Sequence, residues 1–209
     1  MHQPYFPMDN EPPRQRLIGL TGGIATGKTT VTDYLHQKYS APILDADLYA
    51  HQAVEAGSAI LTAIAERYGP EILDQQGQLR RQALGEIIFP NTQEKQWLES
   101  QIHPFVKQRF RSALTELQKK QIVVLSIPLL FEAQLTDWVT DIWVVTCEPA
   151  QQVQRLMQRN SLTEEQALAR ITSQMPLAEK VAQADVVLDN SGQIADLEQQ
   201  IIKAWQSLL

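Results

Sequence analysis

The stretch GGIATGKTT, residues 22–30, limits this chain more than any other. Gly22, four residues, then Gly27, Lys28 and Thr29 fit the spacing G-x-x-x-x-G-K-[ST], which builds a phosphate-cradling P-loop. The flanks agree with the motif. Leu17-Ile18-Gly19-Leu20 is an apolar run short enough for a buried strand, and Val31, Tyr34 and Leu35 recur at helical spacing. Strand, glycine turn and helix, in that order, are the context the loop requires.

Each residue type has its own reason. Gly22, Gly23 and Gly27 let the backbone take positive φ and approach a ligand with no Cβ in the way. Successive N–H groups then form an anion nest, and the helix behind adds unpaired N–H groups and a positive dipole end. Lys28 reaches β- and γ-phosphates, and the Thr29 hydroxyl is a candidate ligand for Mg2+. Ala25, Thr26 and Thr30 complete the candidate nucleotide-binding stretch. The methyl group of Ala25 predicts a negative φ there. The plain alternative is a ligand-free strand–helix turn.

A chain of 209 residues suits one domain with an insertion, or two small lobes, and 44% apolar content supports a substantial core. A net charge of -6 argues against a nucleic-acid-binding surface. The single cysteine, Cys147, excludes an internal disulfide and a cysteine-based zinc cluster, and its apolar surroundings predict a buried thiol. No apolar run reaches membrane-spanning length. The first residues, with Asp9, Glu11 and four prolines, resemble neither a signal nor a transit peptide. A flexible tail over 1–15 and a reduced, cytoplasmic setting are the expectations.

Along the chain, a helix is expected from Thr29 to about Tyr39, then a short strand at Pro42-Ile43-Leu44 that carries Asp45 and Asp47 at its end. Residues 48–118 read as mainly helical, with breaks at Tyr68-Gly69-Pro70, Phe89-Pro90-Asn91 and His103-Pro104. Residues 122–127 and 142–146 are almost continuously apolar, as strands covered on both faces are. Helices at 149–160 and 163–173, a strand at 184–188 and a closing helix from 193 follow. Ile194, Leu197, Ile201 and Trp205 share a face of that last helix. Alternating strands and helices predict an α/β fold of three layers, α/β/α, with a parallel sheet.

A P-loop serves switches, motors and kinases. No Asn-Lys-x-Asp segment of the guanine-reading type occurs, so a small-molecule kinase fits better. Such an enzyme needs a carboxylate at the acceptor hydroxyl and cations over the phosphates. Asp45 and Asp47, two apart, share one face if the strand continues through them. The alternative for each is a helix-capping carboxylate. Arg155 and Arg159, four apart, share a helix face, and Arg170 lies on the next helix. Their alternative is a solvated basic face partnered by Glu164 and Glu165.

The segments IGLTGGIATGKTTV, ILDADLYAHQ, GQLRRQALGEIIF, IHP, IPLLFE, QRLMQRN and ADVVLDNSG follow in that order over residues 17–192. The series resembles dephospho-CoA kinase. The resemblance implies transfer of phosphoryl from ATP, with Mg2+, to the ribose 3′-hydroxyl of dephospho-CoA. It implies a core at 16–48 and 119–209, a helical acceptor-binding lobe at about 49–118 and a lid at about 150–175. Asp47 matches the acidic residue at the acceptor hydroxyl. Arg155 and Arg159 fall on the lid, and Asn190 falls near the adenine. Arg81, Leu84, His103 and Pro104 fall in the lobe facing the CoA moiety, and Glu132 near the acceptor or magnesium. The chain departs from the family at Ala25-Thr26, where many members have Gly-Ser, and at His51, where several have Arg. The implied partners are small molecules, with no nucleic acid, membrane or obligate protein partner. Alternatives are another kinase, acting on a nucleotide or nucleoside, and a nucleotide-binding switch.

Overall fold

A computed structural model describes residues 15–88 and 90–209. The proposed tail lies outside these residues except for Gln15, whose side-chain amide donates to Leu117 O at 2.7 Å and Lys120 O at 2.8 Å. Among the described residues one parallel sheet has the order β2-β3-β1-β4-β5. Its strands are β1 (Arg16–Gly22), β2 (Ile43–Asp45), β3 (Ile122–Ser126), β4 (Asp141–Thr146) and β5 (Val186–Asp189).

Burial on both faces explains the apolar strand sequences. Ile122 and Val124 of β3 pack on one side of the sheet, Val123 and Leu125 on the other, as a period of two requires. The first side is covered by α1 (Lys28–Tyr39), with Val31 and Leu35, and by a closing helix, Ile194–Gln206, through Leu197, Ile201 and Trp205. Ile194 does not share that burial: it is 53% exposed, one turn before the face meets the core. Cys147 is buried, as its surroundings predicted.

The sequence between β2 and β3 is helical, as expected. It comprises α2 (Ala46–Ala53), α3 (Ala59–Tyr68), α4 (Arg81–Ile88) and α5 (Thr92–Glu116). These helices build a core of their own, including Ala53, Ile64, Leu84 and Leu98. The break expected at His103-Pro104 does not occur, because α5 runs through Pro104. An internal proline costs about 3 kcal/mol. Leu98, Val106 and Phe110 are buried on either side of it, and each returns roughly 1.5–3 kcal/mol. Tertiary packing outweighs the local break.

After β4 come α6 (Pro149–Asn160), α7 (Glu164–Thr172) and α8 (Leu177–Val181). Thr163 caps α7 in a reciprocal box with Gln166. The closing helix is α9. From β1 the chain crosses to β2 and β3 on one side, then to β4 on the other. A crevice therefore opens at the carboxyl end of β1, where open α/β sheets bind ligands. The P-loop occupies that end.

Candidate active site

The loop between β1 and α1 bends through two left-handed residues, Ala25 at φ 62° and Gly27 at φ 105°. The negative φ expected for Ala25 is thus wrong. The nest geometry imposes the turn, and the methyl group tolerates it at about 1–2 kcal/mol. At Gly27 a Cβ would run into Asn190 Nδ2. That amide donates to Thr26 O at 2.8 Å and so holds the loop from behind. Gln152 Nε2 donates to Ile24 O, and Ile24 N–H donates to Gln174 Oε1, both at 2.9 Å.

A cavity of about 520 Å³ opens over this loop. Gly22, Gly23, Ala25, Gly27, Lys28 and Thr29 form its floor. Asp47, Pro128, Leu129, Arg155, Arg159 and Gln174 form its walls. Two expected loop contacts lie elsewhere. Thr26 is fully buried, with its hydroxyl on Gly23 O at 2.9 Å. Thr30 faces the groove between α1 and α9 beside Tyr34 and Ile194.

Asp45 and Asp47 do not share a strand face. β2 stops at Asp45, and α2 begins at Ala46. Asp45 Oδ1 accepts from Asp47 N at 2.8 Å and Leu48 N at 3.1 Å, as an N-cap does. Its other oxygen accepts from Ser126 Oγ at 2.9 Å and lies 3.9 Å from Lys28 Nζ. Lys28 also donates to Ser126 Oγ. Asp47, freed from capping, turns into the cavity. Asp47 is solvent-exposed, but the protein atoms around its carboxyl desolvate it and raise it above the ordinary range; the Asp45 carboxylate adds to this, while Lys28 and His51 oppose.

The arginines are brought to the site. Neither pairs with Glu164 or Glu165 among the described residues. Arg155 Nη2 donates to Asn190 O at 2.9 Å. Its Nη1 is buried with no hydrogen-bond partner among the described residues. Arg159 Nε donates to Asn160 Oδ1 at 2.9 Å. With Lys28, itself 3.9 Å from the Asp45 carboxylate, they put three cations in the cavity lining beside Asp47, which suits a polyanion.

A second cavity, about 280 Å³, lies against the helical stretch. Val54, Leu79, Leu84, Ile88, Leu98 and Ile102 make it largely apolar, and Asp47, His51 and Arg81 are its titratable groups. His51 Nδ1 sits 2.9 Å from Asp47 O. Arg81 and Leu84 line this cavity, whereas His103 and Pro104 are exposed on α5 and line neither one. Glu132 lines neither cavity. It pairs with Lys180 at 2.8 Å and accepts from Met175 N at 3.0 Å. Burial alone would raise its carboxyl; the Lys180 ammonium, the backbone N–H of Glu132 itself and that of Met175 together outweigh burial and hold it below the usual range.

Sequence reasoning missed Ser126, Gln152, Gln174 and Lys180. Ser126 left a signal, a hydroxyl at the end of an apolar strand. Its pairing with Asp45 across β2 and β3 gave it meaning. The other three had none, since their partners lie 48 to 150 residues away.

Asp47 thus stands between a cationic cavity and an apolar one, lining both. The family model for dephospho-CoA kinase matches residues 16–196. The dephospho-CoA kinase of Synechocystis sp. is 82% identical, covering 95% of this chain and 98% of its own. That of Trichormus variabilis is 60% identical over 90% and 95%. Among solved structures, the dephospho-CoA kinase of Campylobacter jejuni superposes with a TM-score of 0.69 at 28% identity, covering 92% and 96%. A protein of Thermus thermophilus reaches 0.81 at 33%, covering 94% and 98%. A match over nearly the whole chain, with the P-loop and both cavities inside it, leads to one conclusion: this chain belongs to the dephospho-CoA kinase family.

Proposed function

We propose that the chain phosphorylates the ribose 3′-hydroxyl of dephospho-CoA at Asp47, with ATP held over the P-loop. The reaction is the family's: ATP and dephospho-CoA give ADP and CoA, the last step of coenzyme A biosynthesis. The observation that carries the assignment is the position of Asp47, which lines both the P-loop cavity and the apolar one. A hydroxyl presented there meets a carboxylate on its way to the γ-phosphate.

In this reading the acceptor oxygen bonds to the γ-phosphorus as the bond to the β-phosphate oxygen breaks. The hydroxyl proton passes to Asp47, whose raised affinity for protons suits the task. The transition state is loose, so placement in line counts for more than basicity. Lys28, Arg155 and Arg159, which line the cavity, neutralise charge on the phosphates. The helical stretch 49–118 acts as the acceptor lobe and 150–175 as the lid. Ser126 and Asp45 hold Lys28, and Asn190 holds the loop and Arg155.

Thr29 offers a hydroxyl oxygen at the cavity, the donor type of Mg2+, which takes only one or two protein ligands beside phosphates. This residue fits that ion, and when bound it would neutralise β- and γ-phosphate charge. The working partners are small molecules, and the setting is the cytoplasm. In support, among the described residues no helix is long and apolar enough to cross a membrane, and the net charge is -6.

The test is an assay of purified protein with ATP, Mg2+ and a panel of acceptors. CoA and ADP should appear with dephospho-CoA. Turnover of a nucleoside monophosphate with no CoA formed would reverse the assignment.

A further inference from the structure

Lys180 is fully buried, and its ammonium reaches Glu132 Oε1 at 2.8 Å and Pro128 O at 3.2 Å. A buried ion pair is a weak source of stability, because desolvation offsets attraction. Its position suggests another use. Glu132 Oε1 also accepts from Met175 N at 3.0 Å. The residue before Met175 is Gln174, which lines the P-loop cavity and takes the Ile24 N–H at 2.9 Å. Pro128 lines the same cavity, and its carbonyl also accepts from Thr21 Oγ1 at 3.0 Å. One ammonium–carboxylate pair therefore fastens two walls of the cavity, and touches neither cavity itself.

We propose that Glu132 and Lys180 are positioning residues for phosphoryl transfer: their pair keeps Gln174 on the P-loop and so keeps water from the γ-phosphate of ATP. This rests on the P-loop cavity being the ATP site. With the pair broken, the segment between α7 and α8 loses its anchor at Met175, and Gln174 can leave Ile24. Water then enters beside the acceptor. Its oxygen bonds to the γ-phosphorus, the bond to the β-phosphate oxygen breaks, and ADP and inorganic phosphate are released in place of CoA.

The experiment measures ADP and CoA in the same reaction for the wild type, Glu132→Gln, Lys180→Met and Gln174→Ala, with a melting curve for each. The ratio of ADP to CoA, one to one in fully coupled transfer, should rise severalfold in all three. A merely structural pair would lower the melting temperature and slow both products together, leaving the ratio unchanged, and that result overturns the proposal. If the pair variants do not fold, Gln174→Ala decides, since it leaves the buried pair intact. If the wild type forms neither ADP nor CoA, the ATP-site reading itself fails and this inference falls with it. CoA formation at a constant ratio removes the inference alone.

Discussion

The two cavities that meet at Asp47 are held in opposite ways. The P-loop cavity is braced by polar bonds between distant parts of the chain: Asn190 to Thr26, Gln152 and Gln174 to Ile24, Lys28 and Asp45 to Ser126. The other is walled by aliphatic side chains that pack into their own core. In the helical stretch, Arg67 and Tyr68 bond Glu94 away from the cavity lining. Phosphate demands donors fixed before it arrives, because reorganising dipoles during transfer is costly. An apolar moiety demands only shape and removal from water. The first cavity should therefore be intolerant of single changes and the second forgiving.

Lys28→Ala tests that contrast hardest. It should lower kcat/KM by about 10²–10³-fold, the loss of roughly 2.7–4 kcal/mol expected for one preorganised contact to developing charge. A loss within about threefold, read by steady-state assay, would show the phosphate side to be as forgiving as the other.

Asp47→Asn sits on the border and comes next. It should lower kcat by roughly 10²-fold while ATP affinity, measured by titration, changes little. Two pH effects accompany it. Activity of the wild type should fall as pH drops through the raised pKa of Asp47, and the variant should lack that acid limb. For stability the sign is opposite to that of a salt-bridged carboxylate. A carboxyl raised on folding supports the fold while protonated, below about pH 4, and loses that support as pH climbs through its folded value. Asp47→Asn should therefore melt slightly higher than wild type at neutral pH, and the gain should vanish below that range. The open cavity screens the charge, so the gain is small.

Arg81→Ala addresses the apolar side. Arg81 is one of three titratable groups there, so its loss should raise the acceptor KM by about tenfold with kcat kept, the mark of a contact equal in ground and transition states. A fall in kcat instead would mean that this cavity also places the hydroxyl. The smallest effect is expected for Ala25→Gly. Relief of left-handed strain, about 1–2 kcal/mol, is opposed by about 0.4–1 kcal/mol of added unfolded-state entropy. Stability should rise modestly, with activity within about threefold of wild type. A fall in stability would mean that the methyl group makes contacts that outweigh the strain.

Local sequence determined a good part of this molecule. Gly22, Gly27 and Lys28 specified the loop, apolar runs specified strands, and 3.6-residue spacing put Arg155 and Arg159 on one face. Such features follow from backbone dihedrals and burial, which leave periodic marks within a few residues. The tertiary structure alone decided the rest. It made Asp45 a cap and turned Asp47 into the cavity, set Ala25 left-handed, carried α5 through Pro104 and gave Glu132 to Lys180. The last two outcomes, and the hold of Ser126 on the second oxygen of Asp45, depend on a partner brought near by crossovers of the sheet or by packing between helices. A contact of that kind writes no period into the chain, so only the folded molecule reveals it.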